Sequence, residues 1–231
     1  MISENIAAVQ ERIASACRRT GRRMEDVTLV AVTKTFPAEM VREAVRAGVP
    51  DIGENYVQEA LRKRETVTEP DVHWHFIGHL QSNKVKFVAE WVHLIHALES
   101  RSLAKELDVR AARAGRVVEA LVEVNTTDKS TQFGLPPDRV AEFVQSLSEF
   151  SHIRIAGLMT IGPFLPDPEG SRPMFRMLRT LRDALALRPQ PNLALRHLSM
   201  GMTGDFEVAI EEGATLIRIG TAIFGSRTRP A

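Results

Sequence analysis

The chain has 231 residues, 44% of them hydrophobic and 26% charged, enough for one globular domain with a full-sized core. Its 30 basic and 29 acidic side chains leave a net charge of +1, and without a basic tail or stripe there is no footing for general nucleic-acid binding. No apolar run reaches membrane-spanning length, the N-terminus lacks the basic-then-apolar order of a signal peptide, and the single cysteine, Cys17, has no internal partner, so a reducing cytoplasm is the expected setting.

An amphipathic helix is expected from Ile2 to Arg19, with Cys17 as a small packing residue within it. Eight strand candidates follow: Val27–Lys34, Asp51–Gly53, Trp74–Gly78, Leu94–Ala97, Val117–Asn125, Ile153–Ile161, Leu195–Gly201 and Thr215–Gly220. Helical patterns lie between them, at Ala38–Ala47, Val57–Arg64, Lys84–Glu90, Leu103–Ala114, Arg139–Ser146, Met174–Leu187 and Asp205–Glu212. Strand–helix alternation over eight units predicts a parallel sheet closed into a (β/α)8 TIM barrel with an extra N-terminal helix, a single domain spanning residues 1–231. A doubly wound open sheet is the competing architecture, because strand count does not prove closure.

Lys34 ends the first apolar, β-branched run, where a lone ammonium needs a reason. It either reaches solvent from the strand end or bonds a carbonyl compound through its amine. In a barrel of this kind the site lies at the C-terminal strand ends, and phosphate often sits at the loops after strands seven and eight. Those loops here read Ser199-Met200-Gly201-Met202-Thr203-Gly204-Asp205 and Gly220-Thr221-Ala222, a possible phosphate cup or ordinary turn chemistry. Strand alternation turns Arg218 into the barrel mouth, where it needs either a carboxylate or a ligand acceptor. Asn55 caps the helix after strand two or orients a ligand; Tyr56, the only tyrosine, is expected to pack with its hydroxyl bonded. His73 and His75 share a strand face, as in some zinc hydrolases, with His96 and His197 as further ligands, but structural histidines are the simpler reading.

The ordered segments Val30–Pro37, Gly53–Glu59, His75–Lys84, Gly157–Thr160, Leu198–Met202 and Ile217–Gly225 together resemble the pyridoxal phosphate homeostasis protein family. The resemblance covers about Val27 to Gly225, and the family's barrel is similar to the N-terminal barrel of alanine racemase and ornithine decarboxylase. It implies that Lys34 holds pyridoxal 5′-phosphate (PLP) as an aldimine. It also implies that Ser199, Gly201, Gly220 and Thr221 hold the phosphate, with Met200 contributing backbone, that Arg218 faces the pyridine nitrogen, and that Asn55 lies close by. Gln132 departs from the family's Lys-x-Gly stretch.

An arginine leaves the ring nitrogen neutral, a weak electron sink, so the resemblance implies a PLP carrier without robust catalysis. The chain ends without the second domain from which the related racemases take an acid–base tyrosine. That favours a monomeric carrier that buffers PLP and delivers it to apo-enzymes over a weak racemase or decarboxylase.

Overall fold

The computed structural model describes residues 1–127 and 133–226. Strands β1 (Thr28–Val32), β2 (Asp51–Glu54), β3 (His73–Phe76), β4 (Leu94–Leu98), β5 (Val118–Glu123), β6 (Ile153–Met159), β7 (Leu193–Ser199) and β8 (Leu216–Ile219) pair in sequence order, all parallel. β8 closes against β1 with Val30 opposite Arg218 and Ala31 opposite Ile219, so the sheet is a barrel and not an open doubly wound sheet. Closure makes the ends of β7, β8, β1 and β2 contiguous, which is what places the site.

Helices α1 (Ile2–Arg19), α2 (Ala38–Arg46), α3 (Val57–Thr66), α4 (Arg101–Arg113), α5 (Val140–Ser146), α6 (Arg172–Ala186), α7 (Phe206–Glu211) and α8 (Thr221–Phe224) surround the sheet. The third β/α unit differs from the expected helix at Lys84–Glu90: a 3-10 helix spans Ser82–Phe87. Val85, Val88, Ala89 and Val92 are buried at helical spacing, but the backbone mixes acceptors, with both Val88 and Ala89 N–H groups donating to the Val85 carbonyl. Apolar periodicity therefore marks a buried face here without establishing a regular α-helix.

Period-two alternation divides the strand side chains between two layers. On β5, Val118, Ala120 and Val122 join the large cluster packed under the helices, whereas Leu121 belongs to a small cluster inside the barrel with Val30, Leu94, Ala97, Ala156, Met159 and Leu216. α1 buries Ile6, Val9, Ile13, Ala16 and Cys17 against α7, α8 and α2, outside the β8–β1 seam. Ion pairs Arg12–Glu207 (3.0 Å) and Arg19–Glu211 (2.8 Å) fasten its polar edge. No helix of the described residues is long and apolar enough to cross a membrane.

Candidate functional site

β1 ends at Val32, earlier than its apolar run suggests, so Lys34 lies in the turn beyond the strand and not in its interior. The turn is tightly specified. Thr35 adopts a left-handed backbone (φ 69°), a conformation that costs a β-branched residue about 1–3 kcal/mol and persists only where its surroundings impose it. Its N–H donates to Glu59 Oε1 at 2.6 Å, and the Thr33 carbonyl on the other side of Lys34 accepts from Lys63 Nζ at 2.6 Å. Lys63 also pairs with Glu54 (2.5 Å) and Glu59 (2.7 Å), and the Thr33 hydroxyl donates to Glu54. Burial pushes the Glu54 carboxyl up, while Lys63 pulls it down. A cavity of about 640 Å³ borders this turn on the side of α2 and α3, lined by Phe36, Pro37, Glu59, Arg62, Lys63 and Thr66 among others; it does not include Asn55, Arg218 or the β7–β8 loops.

Arg218, 4% exposed, projects from β8 into the barrel. Its company is neutral: Nη1 donates to Ser199 Oγ and Nη2 to the Thr160 carbonyl at 2.8 Å. Among the described residues no carboxylate lies within ion-pair distance, so the carboxylate partner considered from sequence is replaced by neutral acceptors. Burial brings the Arg218 guanidinium down to about 10, partly offset by the more distant Glu123 and Asp205. Thr160 is itself fixed, donating to the Val124 carbonyl (2.8 Å) and meeting the Thr126 hydroxyl at 2.9 Å.

The structure changes the picture of the expected phosphate cup. Ser199 is fully buried, and its hydroxyl meets Arg218 and lies 2.9 Å from His96 Nδ1. The Met200 N–H donates to the Leu216 carbonyl (3.1 Å), because the chain is still paired with β8 there, so it is not a donor for an anion. Gly201 turns the chain: at φ 92° a side chain would be strained, and a Cβ would come within 2.6 Å of Ala209. The following loop is drawn tight by Asp205, whose Oδ1 accepts from the Met202 N–H (2.7 Å) and whose Oδ2 accepts from Ser171 (2.9 Å). Across it, Thr203 Oγ1 accepts from the Ala222 N–H (3.4 Å), bridging the loops after β7 and β8 where Gly220 and Thr221 open α8.

Asn55 does not cap α3: that helix has Tyr56 at its N-cap and no side-chain cap bond. Asn55 Oδ1 is instead buried without a hydrogen-bond partner among the described residues. Its backbone is closely covered by Gly78, where a Cβ would lie 2.4 Å from the Asn55 carbonyl oxygen. Tyr56 is 58% exposed, contrary to the expected packing role, because it stands at the helix start outside the barrel. On the opposite rim, Glu99 binds His79 (2.7 Å) and the Gly134 N–H (2.9 Å), and burial with the nearby Glu99 charge pushes Glu123 up to about 7. Gln132 lies outside the described residues.

Among the described residues no three His, Cys, Asp or Glu side chains converge as a metal site. The strand-three histidines are bound elsewhere: His75 Nε2 meets Asp51 Oδ1 at 2.9 Å, His75 Nδ1 meets His96 Nε2 at 2.9 Å, and His73 meets Asp51 at 3.3 Å. Sequence reasoning missed the parts played by Glu54, Lys63, Thr203, Asp205 and the His75–His96 contact. Of these, only Thr203 and Asp205 carried a local signal, lying in a Gly-rich strand-end loop.

Residues 5–228 match the model of the alanine racemase N-terminal domain family. A pyridoxal phosphate homeostasis protein of Aquifex aeolicus is 47% identical over 224 residues, covering 97% of both chains. A protein from Bifidobacterium adolescentis superposes with TM-score 0.91 at 36% identity over 96% of this chain and 94% of its own. PipY of Synechococcus elongatus, in a structure with PLP bound, superposes with TM-score 0.85 at 36% identity, over 97% of this chain and 100% of its own.

Proposed function

The chain belongs to the alanine racemase N-terminal domain family, among the pyridoxal phosphate homeostasis proteins, and from that premise we propose that it binds PLP at the barrel mouth through Lys34 and serves intracellular PLP homeostasis. The observation that carries this reading is Arg218, a buried cation on β8 whose partners among the described residues are neutral, one strand away from the Lys34 turn. Support also comes from the Asn55 Oδ1 acceptor, buried at the end of β2 with no partner among the described residues, and from the paired loops after β7 and β8. These features fit a planar, anionic, ring-nitrogen ligand: a donor for the ring nitrogen, polar groups beside it, and hydroxyl and backbone donors for a phosphate.

When bound, PLP supplies an aldehyde that condenses reversibly with a primary amine, releasing water. Lys34 Nζ is the amine, held by a turn that the Glu54–Lys63–Glu59 cluster fixes on both sides. Arg218 can donate but cannot accept, so it orients the ring while leaving its nitrogen unprotonated. We assign the phosphate to the Thr203 hydroxyl and to the Gly220 and Thr221 backbone, with Gly201 allowing the close turn; Ser199 and Met200 act one step behind, holding Arg218 and the β7–β8 pairing. Asn55 lies against the cofactor.

The reading extends to a monomeric cytoplasmic carrier that buffers PLP and passes it to apo-enzymes, without robust catalysis of its own. A racemase or decarboxylase would need a second acid–base group across from Lys34, and Tyr56 is solvent-exposed outside the barrel. The test is the visible spectrum of the purified protein with added PLP. Wild type should show a band at roughly 410–430 nm, and Lys34→Ala should lack it. The same absorbance in both proteins would remove Lys34 from the site, and no band in either would end the proposal.

A further inference from the structure

Five polar side chains make one continuous chain through the barrel interior. It runs from Asp51 on β2 to His75 on β3, His96 on β4, Ser199 on β7 and Arg218 on β8, with 2.9 Å contacts at each of the first three links. His75 and His96 are 2% and 0% exposed, so neither imidazole can exchange a partner for water. The two ends have fixed polarity. An arginine only donates, and Asp51 is ionised: burial works against its charge, but the hydrogen bonds it accepts from His75 and His73 hold its carboxyl below the usual range. His96 is neutral, because burial above all, reinforced by the Arg218 charge, holds its ring well below the ordinary histidine range.

With one proton on each ring, only one arrangement satisfies every atom. Arg218 donates to Ser199; the Ser199 hydroxyl donates to His96 Nδ1; His96 Nε2–H donates to His75 Nδ1; and His75 Nε2–H donates to Asp51. The reverse arrangement needs protons on both His75 nitrogens, adding a second buried cation to an interior that already holds Arg218. In the first arrangement the Ser199 oxygen keeps its lone pairs toward Arg218, and each bond polarises the next. If the His96 acceptor is lost, the Ser199 proton has no defined direction and competes for the space where the guanidinium donates.

We propose that Asp51, His75, His96 and Ser199 form a one-directional hydrogen-bond relay that fixes the Arg218 guanidinium against the ring-nitrogen position, making His96 a positioning residue for the cofactor site. This rests on the PLP reading for its purpose, but the relay itself can be measured without PLP. Nitrogen-15 NMR of the histidine rings in the PLP-free protein should find His75 and His96 both in the Nε2–H form. A proton on His96 Nδ1 would overturn the relay, whatever the fate of the PLP reading.

With PLP, His96→Leu should retain the Lys34-dependent band, shift its position, and weaken PLP binding by about tenfold, the order of one misaligned hydrogen bond from the charged Arg218. His96→Asn, whose Oδ1 can take the place of Nδ1 as acceptor for Ser199, should recover most of the wild-type spectrum. Ser199→Ala, which removes the same link with a smaller change of volume, should reproduce the His96→Leu spectrum and serves if the leucine variant fails to fold. A wild-type band and affinity in folded His96→Leu and Ser199→Ala, or an asparagine variant no better than leucine, would refute the positioning role. Loss of the wild-type band itself would count against the PLP reading instead.

Discussion

The two sides of the barrel sheet solve the packing problem differently. Between sheet and helices, Ile52, Ile95, Leu107, Phe175 and Ile219 belong to a broad apolar layer whose contacts are non-directional. Inside the barrel, a small apolar cluster around Val30, Leu121 and Met159 shares the space with the Asp51–Arg218 hydrogen-bonded column. The outer layer supplies stability by area. The inner column contributes little net stability per bond, yet it fixes atoms to a single arrangement because an unmade bond there is expensive. The Glu54–Lys63 pair is polar on the outer side, and it lies directly beneath the Lys34 turn. Both of these polar groups are buried where a site residue must be held.

The sharpest way to break this contrast is to open the outer layer. Phe175→Ala, at a site 1% exposed in α6, should cost about 3–5 kcal/mol in urea unfolding, with no change in the histidine ring tautomers. A loss below about 1 kcal/mol would mean that the helix layer is not the main source of stability. Lys63→Met tests the polar exception. It leaves Glu54 buried without its cation and should cost about 3 kcal/mol, most of which Lys63→Met combined with Glu54→Gln should restore. If the double variant is no more stable than the single, the cost comes from packing and not from the stranded charge.

The smallest expected effect sharpens the contrast at the inner rim. Burial first, then Glu99, raises Glu123 from 4.5 to about 7. An acid raised in the folded state stabilises fully below its unfolded value and loses that contribution as pH climbs through the folded one. Stability should therefore decline between about pH 4.5 and 7 on account of this group. Glu123→Gln should be nearly neutral in urea unfolding at pH 4 and more stable than wild type by roughly 1–3 kcal/mol at pH 8. An equal effect at both pH values would assign the change to shape rather than charge.

Much of the frame was legible in the chain because it follows from local rules. Eight apolar runs with intervening amphipathic stretches become eight parallel strands with helices or turns between them. Arg218 could be turned inward from the alternation of β8, since Ile217 and Ile219 occupy the helix-facing layer. The boundary at Lys34 was not legible: the run to Thr33 is apolar or β-branched throughout, and the strand stops at Val32 because Glu59 and Lys63, from α3, capture the next backbone groups. The parts played by Ser199 and Asn55 needed the structure as well. The His96 ring that lies 2.9 Å from the Ser199 hydroxyl is 103 positions away, and the choice between a helix cap and a ligand contact for Asn55 turns on its oxygen, which is buried without a hydrogen-bond partner among the described residues.

The sequence by itself determined the order of elements, the faces they bury, the family, and the residue types at the strand ends, because these depend on period, composition and contiguous motifs. Only the tertiary structure decided that β8 meets β1, which hydroxyl faces inward, and that Asp51, His75, His96, Ser199 and Arg218 touch in that order. Those facts depend on directional contacts between residues far apart in the chain, and such contacts exist only once the barrel has closed.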